Sequence, residues 1–128
     1  MKQNLVRAGA GVILKMIFLG CATSNMPSWY TVTGSGVADP SSPRAKARLM
    51  AKRAAKLDAQ RQLLEHAKGV HIQSTTTVED FMTRDDYIRS RVQGIIREAE
   101  IIDYRYFDDG SCEVDMRIDM NRIRDVVR

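Results

Sequence analysis

The sharpest pattern in the chain is the alternation from Cys112 to Met120. Cys112, Val114, Met116, Ile118 and Met120 share one side of an extended segment, and Glu113, Asp115, Arg117 and Asp119 the other. Period two predicts a half-buried strand with its apolar row in the core. Asp108-Asp109-Gly110 before it is a hairpin signal. Ile95 to Phe107, released by Gly94, is therefore expected to pair antiparallel with it. Near the other end, Ser28 to Gly34 is rich in aromatic and β-branched residues and predicts a first strand.

Between these lies a helical pattern from Pro43 to about Lys68. Ala47, Ala51, Ala55, Ala59 and Leu63 recur at four-residue steps, with Met50, Ala54 and Leu57 on the flank. Lys46, Lys52, Arg53, Lys56, Gln60 and Arg61 take the other side. Alanine loses little side-chain entropy, so the stripe lets a helix backbone lie close on a sheet. Ser42 before Pro43 predicts a capping hydroxyl followed by proline at a position needing no N–H, and Gly69 the stop. Val70, Ile72, Ser74, Thr76 and Val78 alternate with polar neighbours and predict another strand, at an edge or against polar groups. Thr83 to Arg91 predicts a short helix capped by Thr83, and Asn121 to Arg128 a closing helical turn. The expectation is an α+β two-layer sandwich: a mainly antiparallel sheet of about four strands, packed by one long Ala-rich helix and one short helix.

The first residues stand apart. Lys2 and Arg7 precede an apolar run, interrupted by Lys15, that ends at Gly20-Cys21 before Ala22-Thr23-Ser24-Asn25. A basic start, a short apolar stretch and a small residue before the cut describe a secretory signal. The run is too short and broken for a spanning helix. The expected organisation is a signal peptide over 1–20, a tether over 21–27 and one domain over 28–128. The leader also removes most of the net charge. Without Lys2, Arg7 and Lys15, 17 of the 20 basic residues remain against 16 acidic ones, so +4 becomes +1. The excess charge that would argue for a nucleic-acid partner leaves with the leader.

Little catalytic chemistry is spelled out. Gly34-Ser35-Gly36 lacks the remaining signature of a phosphate loop and reads as strand-end flexibility. His66 and His71 have no cysteine or carboxylate at ligand spacing, so no metal site is expected. Cys112 could pair with a histidine as a nucleophile, but its register places it in the core, where a thiol is inert. No catalytic residue and no enzymatic activity are expected. The basic helix residues Lys46, Lys52, Arg53 and Lys56 and the acidic strand residues Glu113, Asp115 and Asp119 carry opposite charge on one domain. They are the expected contacts between copies, because complementary charge sets partner choice and register.

Gly20-Cys21 after such a leader resembles the lipobox of bacterial lipoproteins, with Phe18 and Leu19 as departures. The resemblance implies that Cys21 becomes the first mature residue, bearing diacylglycerol and N-acyl lipid, with palmitate the expected chain and no other cofactor. Ala22, not aspartate, follows it, which by the general sorting rule favours the outer membrane. Further on, Arg44-Ala45-Lys46-Ala47, Ala51-Lys52-Arg53-Ala54-Ala55-Lys56-Leu57-Asp58-Ala59 and Gly69-Val70-His71-Ile72-Gln73-Ser74 carry a second likeness. They resemble the small outer-membrane lipoproteins that include flagellar assembly lipoprotein P, and the amino-terminal domain of flagellar assembly protein T. The resemblance covers most of Tyr30 to Met120. It implies a lipid-anchored subunit of a ring around the flagellar basal body, at the periplasmic face of the outer membrane, required for motility. The implied partners are further copies, other basal-body ring proteins and the outer membrane. The alternative expectation is a non-flagellar lipoprotein of the same fold that binds envelope or host surfaces.

Overall fold

The computed structural model describes residues 26–128. The expected signal segment, Cys21 and most of the tether lie outside the described residues. The elements run β1 (Trp29–Gly36), α1 (Arg44–Lys68), β2 (His71–Gln73), β3 (Thr76–Thr77), α2 (Val78–Arg84), α3 (Asp86–Arg97), β4 (Glu100–Tyr106), β5 (Cys112–Asp119) and α4 (Met120–Val126). The fold is α+β, with an antiparallel sheet in the order β1-β5-β4 and α1 laid across β1 and β5. The strand with the cleanest alternation is the central one. Cys112, Val114, Met116 and Ile118 are all buried, and Met120 continues the buried row as the first residue of α4.

The alanine stripe does what its chemistry predicts. Ala47, Ala51, Ala55, Ala59, Leu63 and Ala67 are buried along the full length of α1. Opposite them are Gly34 and Gly36. A Cβ on Gly34 would collide with the Ala55 carbonyl oxygen and the Ala59 nitrogen, and one on Gly36 with the Ala51 carbonyl oxygen. These glycines are therefore not strand-end flexibility; they permit helix and strand backbones to touch. The flank differs too: Met50 and Leu57, expected beside the stripe, are exposed.

Beyond α1 the expected boundaries shift. Ser42 does not cap the helix; its hydroxyl bonds to Asp39, and Pro43 occupies the cap position without a side-chain bond. The segment 70–79 is not one strand of the main sheet but a small ribbon, β2 paired with β3 around Ser74 and Thr75. The main sheet thus has three strands, and the ribbon is a separate pair. The ribbon ends because Thr77 forms a capping box with Asp80, which starts α2 earlier than expected. Asp85 then caps α3, accepting from the N–H groups of Tyr87 and Ile88. The single short helix expected over 83–91 is accordingly two, and Thr83 lies inside the first. Gly94 sits within α3 and does not end it, because Val92, Ile95 and Ile96 bury one face of that helix. Together α2, α3 and α4 close the core beside the last turns of α1, through Val78, Met82, Val92, Ile96 and Ile123.

The β4–β5 hairpin forms as read. Gly110 takes φ +85°, which favours glycine, and Asp109 accepts from the Ser111 N–H at 2.9 Å.

Candidate interaction surfaces

The two edges of the main sheet are built differently. On the outer side of β1, the Asp58 carboxylate accepts the Ser35 N–H at 3.0 Å, and Gln62 Nε2 donates to the Thr33 carbonyl at 2.9 Å. Both side chains come from α1 and are locked together by a bond from Gln62 to Asp58. The Ser35 bond, seconded by Arg61, holds the Asp58 carboxyl below the usual carboxylate range. With these two groups occupied, this stretch of the β1 edge is a poor template for another chain. Neither Asp58 nor Gln62 stood out in the sequence as a functional residue.

The β4 edge has no strap from α1, although the Asp103 carboxylate accepts the Tyr104 N–H at 2.8 Å. The register of β4 shifts between Ile101 and Asp103, and Ile101, Ile102, Tyr106 and the following Phe107 are exposed. α1 reaches toward this strand through two cations. The Arg48 guanidinium lies 4.1 Å from the Tyr106 ring centroid, and Lys52 Nζ lies 4.6 Å from that of Tyr104. Such contacts stabilise by about 0.5–1 kcal/mol each when exposed. Lys52, expected as a contact between copies, is thus half engaged within its own subunit.

The acidic row is engaged further. Arg105 on β4 reaches Asp115 at 2.6 Å and Glu113 at 3.1 Å across the strand pair. Thr33 adds a hydroxyl to Asp115 at 2.7 Å. Arg105 and then Thr33 hold the Asp115 carboxyl at about 2. Asp119 accepts the Ser28 N–H at 2.9 Å and the Asn121 N–H at 3.0 Å, so it pins the start of the domain and caps α4. Between them Arg117 pairs with Glu100 at 2.8 Å and lies over the Trp29 ring. Glu113, Asp115 and Asp119 therefore share the expected face, with their charge directed to groups of the same chain. Lys46 and Arg53 are exposed on the outward side of α1 and Lys56 is half-buried beside them.

The remaining candidates are apart. Cys112 is buried, and desolvation pushes its thiol up. His66 stacks on Tyr30 with ring centroids 3.4 Å apart and planes 6° from parallel, while His71 lies exposed on β2. No group of three or more His, Cys, Asp or Glu side chains among the described residues is placed to hold a metal ion. No helix among the described residues is long and apolar enough to cross a membrane. Cys21 lies outside the described residues. No family model, curated protein or solved structure matches this chain.

Proposed function

We propose that the chain is a lipid-anchored structural subunit of a ring around the flagellar basal body, held at the periplasmic face of the outer membrane and free of enzymatic activity. The observation that supports assembly best is the contrast between the sheet's edges. The β1 edge is strapped from α1 by Asp58 and Gln62. By contrast β4, apart from the Asp103–Tyr104 bond at its bulge, has no strap from another element among the described residues and carries exposed Ile101, Ile102 and Tyr106. An open edge flanked by apolar side chains accepts further chain by backbone pairing. One repeated head-to-tail contact closes a ring when its rotation permits. Acyl chains on Cys21 of every copy would confine the subunits to a plane and raise their effective concentration. The resemblance of Ala51 to Ala59 and Gly69 to Ser74 to flagellar lipoproteins supplies the flagellar part of the reading.

Ile102→Lys with Tyr106→Lys tests the edge, since lysine blunts strand pairing. The variant is expected to keep its acylated mass and outer-membrane location, yet to lose crosslinked multimers and swimming. Full multimerisation by the variant would contradict assembly through β4. Normal swimming in a strain lacking the chain would contradict the flagellar role and leave the envelope-binding module.

A further inference from the structure

From the outward face of α1 we infer a second membrane contact: the ridge Lys46, Met50, Arg53 and Leu57 lies on an anionic lipid surface. These positions alternate four and three residues apart, so they form one line along the helix, turned away from the buried alanines. Lys56 flanks the line. Leu57 is 66% and Met50 47% exposed. Cations interleaved with exposed apolar side chains match a headgroup layer, which takes the charge at its surface and the methylenes just below.

The charge placement agrees, with Arg48 and Lys52 alone turned to the Tyr106 and Tyr104 rings. From Arg44 to Lys56 the helix holds Arg44, Lys46, Arg48, Lys52, Arg53 and Lys56 and no acid. Its first turn carries no acidic residue, and Pro43 supplies no side-chain cap. Cations at the positive end of a helix dipole oppose the helix's own electrostatics. An external anionic surface offsets that cost. The β5 face of a second copy is the poorer complement, because Glu113 and Asp115 are already paired with Arg105, and Asp119 is occupied as a cap.

The geometry suits a membrane-tethered chain. Asn121 holds the Met26 carbonyl at 2.9 Å, and Tyr30 stacks on His66 in the last turns of α1. The described amino-terminal end therefore lies beside the carboxyl-terminal end of the helix. An anchor at that end lets the helix, about 37 Å long at 1.5 Å per residue, lie along the bilayer.

The test uses the full chain carrying Cys21→Ser, so no acyl lipid contributes, and it is independent of motility. Partition is measured onto phosphatidylcholine vesicles with and without phosphatidylglycerol. Lys46→Gln/Arg53→Gln/Lys56→Gln is compared with the parent and with the off-ridge control Arg84→Gln/Arg89→Gln/Arg91→Gln, after circular dichroism establishes that each is folded. The leader is common to all three, so the ratios report the ridge. The ridge variant is expected to lose on the order of 100-fold in partition onto the anionic vesicles and little onto the neutral ones, while the control stays near the parent. Added salt should shrink the difference. Equal loss in control and ridge variants would overturn the inference, as would unchanged binding by the ridge variant. Unchanged binding with lost crosslinking between copies would assign the ridge to a protein contact.

Discussion

Asp58 and Ser35 join the middle of α1 to the outer edge of β1: the carboxylate accepts the backbone N–H at 3.0 Å. The helix that buries one face of the sheet thereby also closes one of its edges. Asp58→Ala should cost about 1–2 kcal/mol in urea unfolding, by removing a charge-assisted bond. It should also raise self-association measured by light scattering, since the β1 edge becomes available. An unchanged unfolding midpoint would show that the strap contributes nothing.

The glycines opposite the alanine stripe make a stronger demand. Gly34→Ala and Gly36→Ala should each destabilise by about 3 kcal/mol, at the upper end of overpacking costs. The nearest clashing atoms are backbone, the Ala55 carbonyl oxygen and the Ala59 nitrogen, with only the Ala59 Cβ from a side chain, so Ala59→Gly should fail to rescue Gly34→Ala. Ser35→Ala between them, which keeps its N–H, should be nearly neutral. Rescue by Ala59→Gly would mean that side-chain crowding, not backbone approach, sets the requirement.

Asp115 makes acid unfolding informative. Its carboxyl sits at about 2 in the folded chain against an ordinary 3.8, held down by Arg105 and then Thr33. The folded value lies below the unfolded one, so the contribution is complete above about pH 4 and is lost as pH falls toward 2. Asp115→Asn should therefore show a shallower loss of stability across that window than the parent. Asp58 and Asp80 are lowered too, so a slope should remain. Parallel stability curves for variant and parent would contradict the assignment.

Cys112 should be silent. It is fully buried in the central strand and its thiol is pushed up by desolvation. A disulfide reagent should not label it in the native protein but should label it on unfolding, and Cys112→Ser should leave swimming intact. Rapid native labelling would revive a redox or nucleophilic role.

How much of this was legible in the sequence depends on where each constraint originates. The β5 core row could be read because alternation is a local property of its own residues. The buried face of α1 followed from its alanine spacing for the same reason. The role of Gly34 and Gly36 was hidden, because it is imposed by a helix backbone that only the tertiary fold brings against them. The strand expected over 70–79 failed for a local reason that was visible: Thr77 and Asp80 stand at capping-box spacing and turn the chain into α2. Gly94 misled because tertiary burial of Val92, Ile95 and Ile96 outweighs glycine's helix cost of about 1 kcal/mol.

The surfaces divide in the same way. The basic stretch Arg44 to Lys56 is contiguous in sequence and was visible. That Glu113 and Asp115 share Arg105 as an ion-pair partner depends on the β4–β5 register, which no run of residues reveals on its own. The strap from Asp58 and Gln62 to β1 is likewise a product of packing. Hence the charge pattern overstated the free surface. Of the expected cations Lys46 and Arg53 are exposed, while Lys52 and Lys56 are half-buried, and Glu113, Asp115 and Asp119 have partners in the same chain.

The claim that copies of this chain form an anchored basal-body ring is tested most directly by electron cryotomography of flagellar motors. The strains to compare are one lacking the chain and one complemented with it. The account predicts ring density at the periplasmic face of the outer membrane that vanishes in the deletion and returns, with swimming, on complementation. Identical motors and normal swimming without the chain would contradict it.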